Sequence, residues 1–425
     1  MNSIRIQAEH DVAGDTQCAY GDWMLRYNQA SLAWCFRERL DLERLAAALR
    51  RVLDDYPMYA GRFEVQPGAL RIQHGHDVVL EHVASSESFT TLGAAVDAGR
   101  TEVLCPTLSV RRTLAGKHPL FMARLTDTRD GSAIGVTWHH AVGDLASTMP
   151  LLRAWGQAYG GAPYVAPPRV PDRAQYLDEH IPDPPDAVSS VRLYSFGEMC
   201  SLAGFLMQRK RRVDIAFSWD EIEHIQASLT RGTFVTASDA LSAHVFWVLQ
   251  QLQPERPPRR LVLAVNYRKR VGLPSNLVGN LLGTICIDVD ADAEPASTAA
   301  AIRAQLKAYG RQHVEYHPTR RFLVDHPGAI ERLRTMPNFF DASGRTWLLS
   351  NAANNGVYEL EFGAARPELF CFATAAAAPM MSAMFESPKR AGLTMAMYLP
   401  AQLAARADSA DGRTLMHAQP LAAAG

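Results

Sequence analysis

The sequence has little of what would assign it by composition alone. Its six cysteines stand far apart, at Cys18, Cys35, Cys105, Cys200, Cys286 and Cys371. They form no Cys-x-x-Cys pair and no zinc-type spacing. That argues against a disulfide framework and against any metal site, and fits a cytoplasmic chain whose cysteines serve as small apolar core residues. Charge of one sign is also missing: 43 Lys+Arg against 44 Asp+Glu leave a formal net charge of −1. No nucleic-acid stripe or polybasic membrane surface is expected. No apolar run reaches membrane-spanning length, and the start, MNSIRIQAEHDVAGD, lacks the apolar core of a signal peptide. There is no phosphate-cradling glycine-rich loop and no internal repeat.

What the sequence does have is length and apolar content. Its 425 residues, 48% hydrophobic, suit two or three domains with a large core. Ser31–Phe36 reads as a strand. Asp41 then reads as an N-cap, followed by Leu42, Leu45, Leu49, Val52 and Tyr56 at helical spacing until Pro57 stops the helix. Tyr59 to Phe63 is expected to return to extended structure. Leu120–Thr126 and Ala133–His139 read as a hairpin around the Asp130-Gly131 turn signal. A helix is expected from about Ala146 to Tyr159. Gly160 to Ser190 carries seven prolines (Pro163, Pro167, Pro168, Pro171, Pro182, Pro184, Pro185) and reads as a crossover linker without sheet or long helix.

Beyond the linker, Ser218–Leu229 and Ala237–Leu252 read as helices, the second opened by the capping pattern Thr236-Ala-Ser-Asp239. Arg260–Asn266, Thr284–Val289, Val357–Glu361 and Leu369–Ala375 read as strands. The last twenty or so residues are Ala-rich and polar, and disorder is expected there. The chain thus divides into an N-terminal half, 1–190, and a C-terminal half, 191–425.

The sharpest chemical feature is Trp138-His-His-Ala-Val-Gly-Asp144. An apolar strand runs into two histidines, and an aspartate follows four residues after the second. Histidine titrates near neutrality and suits proton removal from an alcohol or amine. The aspartate lies on the same tight turn, placed to hold the loop or to fix a ring tautomer. The histidines also fit plain strand-end residues with satisfied hydrogen bonds. A metal site would need a third ligand that the spacing does not supply. On spacing alone these readings stay open.

Five motifs in order narrow the choice. His140-Ala-Val-Gly-Asp144 is similar to the His-x-x-x-Asp of the BAHD acyltransferases, a family within the superfamily of chloramphenicol acetyltransferase and peptide-synthetase condensation domains. Leu42–Phe63, ending Pro57-Met-Tyr-Ala-Gly-Arg-Phe63, resembles that family's first helix and "AGR" strand. Ser238-Asp-Ala-Leu-Ser-Ala-His-Val-Phe-Trp247 resembles the helix that opens its second half. Asn266-Tyr-Arg-Lys-Arg270, then Leu273-Pro274 and Gly279-Asn280, resemble its "DxRxR … P … GN" stretch. Trp347, then Tyr358-Glu-Leu-Glu-Phe-Gly363 and Pro367, resemble its Ser-Trp to Asp-Phe-Gly-Trp-Gly stretch. The likeness spans nearly the whole chain. There are departures: Glu361-Phe362-Gly363-Ala364-Ala365 lacks the last motif's tryptophan and final glycine, Leu145 replaces a glycine, and Asn266 replaces an aspartate. The chain reads as a divergent member.

The resemblance implies an α/β fold of two chloramphenicol-acetyltransferase-like domains, each a mixed sheet with helices, joined by a crossover with a channel between them. It implies acyl transfer from acyl-CoA, a co-substrate rather than a bound cofactor, to a hydroxyl or amine of a small molecule, in a cytoplasmic monomer making a specialised metabolite. His140 would be the general base. Asp144 would hold its loop, paired with Arg268. Trp347 would either donate its indole N–H to the oxyanion or simply pack. His139 would be structural or line the channel. Thr236 and Ser238 would lie along the pantetheine arm, and Arg209-Lys210-Arg211-Arg212 is a candidate for its phosphates. The Glu-Phe-Gly loop would be structural. Two alternatives remain: a condensation-type enzyme taking its acyl group from an acyl-carrier protein, and a catalytically silent ligand-binding homologue.

Overall fold

The computed structural model describes residues 2–10, 12–66, 69–185, 187–310, 314–326, 328, 335–338, 340 and 343–417. It falls into two compact units. The first holds Met1–Ile181, Val271–Leu282 and Asn355–Ala375; the second holds Pro182–Arg270, Gly283–Asn354 and Ala376–Gly425. The chain passes from one to the other close to the boundary expected at 190, but the units are not simply the two halves of the sequence. Two segments of the second half return to the first unit because their backbone bonds are made there. Pro367–Phe372 pairs antiparallel with Gln29–Phe36, and the Gly279–Leu281 stretch bonds to Asp22, Asp144 and Ser147.

The first unit is built on a six-stranded mixed sheet. Its spatial order is Asn2–Ile6, Val78–Ala84, Phe121–Thr128, Gly131–His139, Gln29–Phe36, Pro367–Phe372. Only the Val78–Ala84 and Phe121–Thr128 pair is parallel. Every residue of Gly131–His139 is buried, which fits a sequence of mostly small and apolar residues rather than a strict alternation; its two hydroxyls donate to carbonyls, Ser132 to Glu38 at 2.7 Å and Thr137 to Pro106 at 2.7 Å. The expected hairpin is present, closed by Thr128 opposite Gly131. Arg129 and Asp130 therefore form its two-residue loop, and the glycine opens the strand. A Cβ on Gly131 would stand 2.0 Å from the Phe36 carbonyl oxygen, so only glycine fits that approach.

Alternation along Gln29–Phe36 divides the core of this unit. Ala33 and Cys35 join Cys105, Cys371 and the Phe89–Asp97 helix in one apolar cluster, where the thiols act as small hydrophobes. Trp34 and Phe36 face the other way. The Trp34 indole N–H donates to the Val357 carbonyl at 2.8 Å. Phe36 meets Phe362 edge-on at 5.8 Å. Phe362 also packs edge-on against Trp155 and Tyr159 of the Leu145–Gly160 helix. Phe362 and Ala365 exchange both backbone hydrogen bonds at 3.1 Å. The Glu-Phe-Gly loop is thus a closed turn with its aromatic ring driven into the core.

Local signals read as expected at several points. Asp41 Oδ1 accepts the Arg44 amide at 2.7 Å and caps Leu42–Leu53. Thr236 and Asp239 form the capping box of Ala237–Leu252. Pro57–Ala60 makes one 3-10 turn before the Arg62–Gln66 strand, so the return to extended structure comes later than expected. Inside the proline-rich stretch the chain fits an eight-residue helix, Arg173–His180, capped by Asp172.

The second unit has its own six-stranded mixed sheet, in the order Lys210–Ser218, Gly392–Pro400, Met381–Glu386, Thr346–Asn351, Arg260–Asn266, Leu282–Asp288. The helices Trp219–Leu229, Ala237–Leu252 and Pro295–Ala308 pack on one another. Two expectations need correction. Val357–Glu361 is no strand: Val357–Glu359 forms a 3-10 turn. The Ala-rich tail is ordered as far as His417, in helices Ala401–Ala407 and Ala410–His417. Alanine favours helix, and Leu403, Ala404, Ala407 and Met416 are buried. His244 Nε2 also lies 2.7 Å from the Met416 carbonyl oxygen. The remaining eight residues lie outside the described ones. Among the described residues no helix is long and apolar enough to cross a membrane.

Phe362→Ala removes a ring that three aromatic neighbours enclose. It is expected to cost roughly 3–5 kcal/mol in chemical denaturation. A loss below about 1 kcal/mol would show that the loop does not anchor this core.

Candidate active site

Strand Gly131–His139 delivers two adjacent histidines to different surroundings. His139 is fully buried. Its amide donates to the Leu120 carbonyl at 2.8 Å, its Nδ1 accepts the Ala141 amide at 3.3 Å, and its ring lies edge-on to Phe63 at 4.7 Å. Burial, with some help from His140, pushes its pKa down to about 3. It sits there as a neutral, packed ring.

His140 opens a one-turn 3-10 helix and is half-buried. Its amide donates to the Asn28 carbonyl at 2.9 Å. Its Nδ1 lies 3.0 Å from Asn280 Oδ1. The Asn280 Nδ2 donates to Asp22 Oδ1 at 2.8 Å and to the His140 carbonyl oxygen at 2.9 Å. A carboxylate and a carbonyl oxygen accept only, so both require the NH2 end of the amide. The oxygen end is left for the ring and accepts from Nδ1–H. The proton of neutral His140 therefore sits on Nδ1, and Nε2 carries the lone pair.

A buried ion pair stands behind Asn280. Asp22 Oδ1 also accepts the Asn280 amide at 2.9 Å. Its Oδ2 accepts the Ala19 amide at 3.1 Å and Arg173 Nη1 at 3.0 Å. Arg173 Nη1 reaches the Val142 carbonyl at 3.0 Å as well. The two side chains are only 1% and 4% exposed. Removing one partner of such a pair costs roughly 3–5 kcal/mol, because the other charge stays buried.

Asp144 holds backbone amides with both of its carboxylate oxygens. It is the N-cap of Leu145–Gly160, with Oδ1 accepting the Ser147 amide at 2.9 Å. Its Oδ2 accepts the Leu281 amide at 3.0 Å. Ser147 Oγ donates to the Gly279 carbonyl at 2.7 Å and accepts the Gly279 amide at 3.1 Å. Asp144 and Ser147 together hold the 279–281 backbone, which carries Asn280. Gly279 has φ +151°, where other residues are strained.

The other sequence candidates lie in the second unit. Arg268 is buried, with Nη1 donating to Asn266 Oδ1 at 3.2 Å. Trp347 is fully buried, stacks on Phe246 at 6.0 Å and gives its indole N–H to Ser382 Oγ at 2.7 Å. That donor is engaged inside the sheet. Thr236 and Ser238 stand half-buried at the head of their helix. The Thr236 hydroxyl accepts Arg303 Nη2 at 2.7 Å, and Asp239 pairs with the same arginine. In the Arg209–Arg212 run, Arg211 pairs with Asp408, and Arg212 Nε with Asp214 at 2.9 Å.

Asn280, Asp22, Arg173 and Ser147 were not site candidates in the sequence. Asn280 drew notice only as the second letter of a Gly-Asn pair. Asp22 and Arg173 are 151 positions apart, and neither sits in a periodic pattern. The one signal available was chemical: glycine followed by a side-chain amide, beside a proline-bounded loop.

Residues 32–405 match the model of a family described as Transferase family. The BAHD acyltransferase DCR of Arabidopsis thaliana is 23% identical over 383 residues, covering 80% of this chain and 75% of that protein. TRI101 of F. graminearum, solved with coenzyme A and T-2 mycotoxin, superposes with a TM-score of 0.76 at 15% identity, over 94% of this chain and 98% of that one. Vinorine synthase gives a TM-score of 0.69 at 15% identity, over 96% and 95%. The starter condensation domain of rhizomide synthetase, solved with C8-CoA, gives 0.63 at 13% identity, over 97% and 98%. The two-domain mixed α/β fold is the one these structures share.

The buried, neutral state of His139 has a consequence for acid stability. The unfolded chain takes up a proton near pH 6.5, while folded His139 refuses it until about pH 3. Its contribution is complete above pH 6.5 and is lost as the pH falls towards 3, by up to about 1.4 kcal/mol per pH unit. Denaturation at pH 7.5 and pH 5 should show the wild type losing about 2 kcal/mol more than His139→Gln. Parallel curves for the two proteins would contradict it.

Proposed function

The chain belongs to the Transferase family, among its BAHD acyltransferases, and from that membership we propose that it transfers an acyl group from acyl-coenzyme A to a hydroxyl or amine of a small molecule, with His140 as general base. The observation that carries this reading is the state of the ring. Asn280 keeps a proton on Nδ1, which leaves Nε2 free to take another from the acceptor. As the acceptor oxygen or nitrogen attacks the thioester carbonyl, its proton passes to Nε2. The tetrahedral intermediate collapses by breaking the C–S bond, and the leaving thiolate takes the proton from the imidazolium. Throughout, Nδ1–H stays on the Asn280 oxygen, so the ring neither turns nor changes tautomer.

TRI101, a structural neighbour, is solved with coenzyme A and T-2 mycotoxin bound together, and this supports the choice of a coenzyme A donor and a small-molecule partner here. In the same reading Thr236 and Ser238 lie along the pantetheine arm. Asp144 acts as the clamp on the 279–281 backbone rather than as a proton carrier. The enzyme works as a cytoplasmic monomer on a specialised metabolite.

The test is thiol release from a panel of acyl-CoAs with pooled hydroxyl and amine acceptors. Release should depend on the acceptor, and His140→Ala should lower kcat by about 10²–10⁴-fold. A His140→Ala enzyme with the wild-type rate would sink the assignment of the base. Turnover only when the acyl group is carried on a carrier protein would replace the coenzyme donor with the condensation-type one.

A further inference from the structure

We propose that Asp22 is a positioning residue that sets the proton-accepting tautomer of His140 by holding the Asn280 amide. The argument starts from donors and acceptors. Both Asp22 oxygens are filled, Oδ1 by the Asn280 amide and Nδ2, Oδ2 by the Ala19 amide and Arg173 Nη1. An ionised carboxylate suits four donors; no neutral side chain of that shape does. The amide of Asn280 has two possible orientations, and they give His140 opposite tautomers. In the orientation present, Nε2 is a base. In the other, the amide NH2 would donate to Nδ1, the ring proton would move to Nε2, and Nε2 would have no lone pair to take a proton from the acceptor.

Two acceptors decide between these orientations: Asp22 Oδ1 at 2.8 Å and the His140 carbonyl at 2.9 Å. Asp22 is the charged one and therefore the stronger. The approach that brings it there is built into the backbone. A Cβ on Gly21 would stand 2.8 Å from the Asn280 carbonyl oxygen, so the Tyr20–Met24 turn lies against residue 280 only with glycine beside Asp22.

The effect on rate rests on the reading of His140 as the base; the effect on the ring does not. Asp22→Asn supplies one oxygen and one NH2 to the four donors. Arg173 draws the oxygen, and the NH2 then faces Asn280, favouring the turned amide. Arg173→Met breaks the same ion pair but leaves Asp22 Oδ1 on Asn280. A purely structural pair would make the two variants alike.

Both variants are compared with wild type by 15N NMR of histidine-labelled protein, with His140→Gln assigning the ring signals, and by thiol release corrected for the folded fraction. Wild type and Arg173→Met should show the Nδ1–H tautomer. Asp22→Asn should shift His140 towards Nε2–H, with kcat lower by about 10²-fold and KM little changed. A wild-type ring tautomer in Asp22→Asn overturns the proposal, as does a rate loss equal to that of Arg173→Met. Should His140→Ala keep its rate, the base assignment fails alone, and the ring signals still decide the role of Asp22.

Discussion

The site depends on one side-chain amide that has a single permitted orientation. Asn280 meets two groups that only accept, Asp22 and the His140 carbonyl, and one ring that can do either. The acceptors take the NH2, so the oxygen goes to the ring, and the ring proton follows. A histidine near neutral pH has two tautomers of similar energy, and only one of them has its lone pair on Nε2. The amide settles that choice without placing a net charge against the ring. An aspartate in its position would hold the same tautomer, but would place a second carboxylate beside Asp22.

Such an orientation holds only if the amide cannot move, and the surroundings see to that. Gly279 supplies the backbone conformation that turns residue 280 towards the histidine. Asp144, the N-cap of Leu145–Gly160, and Ser147, in its first turn, grip the backbone on either side of Asn280. The aspartate four residues after His140 thus acts on the histidine through the segment facing it. Its place is set by helix geometry: an N-cap carboxylate turns to the amide three residues on, here Ser147.

The two histidines show how little separates a packing residue from a reactive one. His139 ends a strand buried on both faces and stays neutral there. His140, one residue later, leaves the strand and opens a short turn, half-buried. The same strand that makes the first inert brings the second to the 279–281 segment. Nearby, Phe362 keeps the Glu-Phe-Gly turn seated among three aromatic rings although the tryptophan and final glycine of the related motif are gone. The aromatic ring seats that turn, and Ala365, one of the residues that changed, closes it through its backbone bonds with Phe362.

Much of this was determined by sequence alone. The Asp41 and Thr236 caps, the hairpin around residue 130, the mostly apolar strand into His139 and the order of five motifs were all legible, because each is a local pattern of neighbouring residues. The helical tail and the turn at Val357–Glu359 were misread: alanine and short apolar runs take their structure from what they pack against. The partners of His140 were settled only in three dimensions. Asp22, Arg173 and Asn280 come from three separate stretches of chain. A hydrogen bond between such stretches leaves no periodicity to read, and the choice of ring tautomer appears only once donors and acceptors can be counted in place.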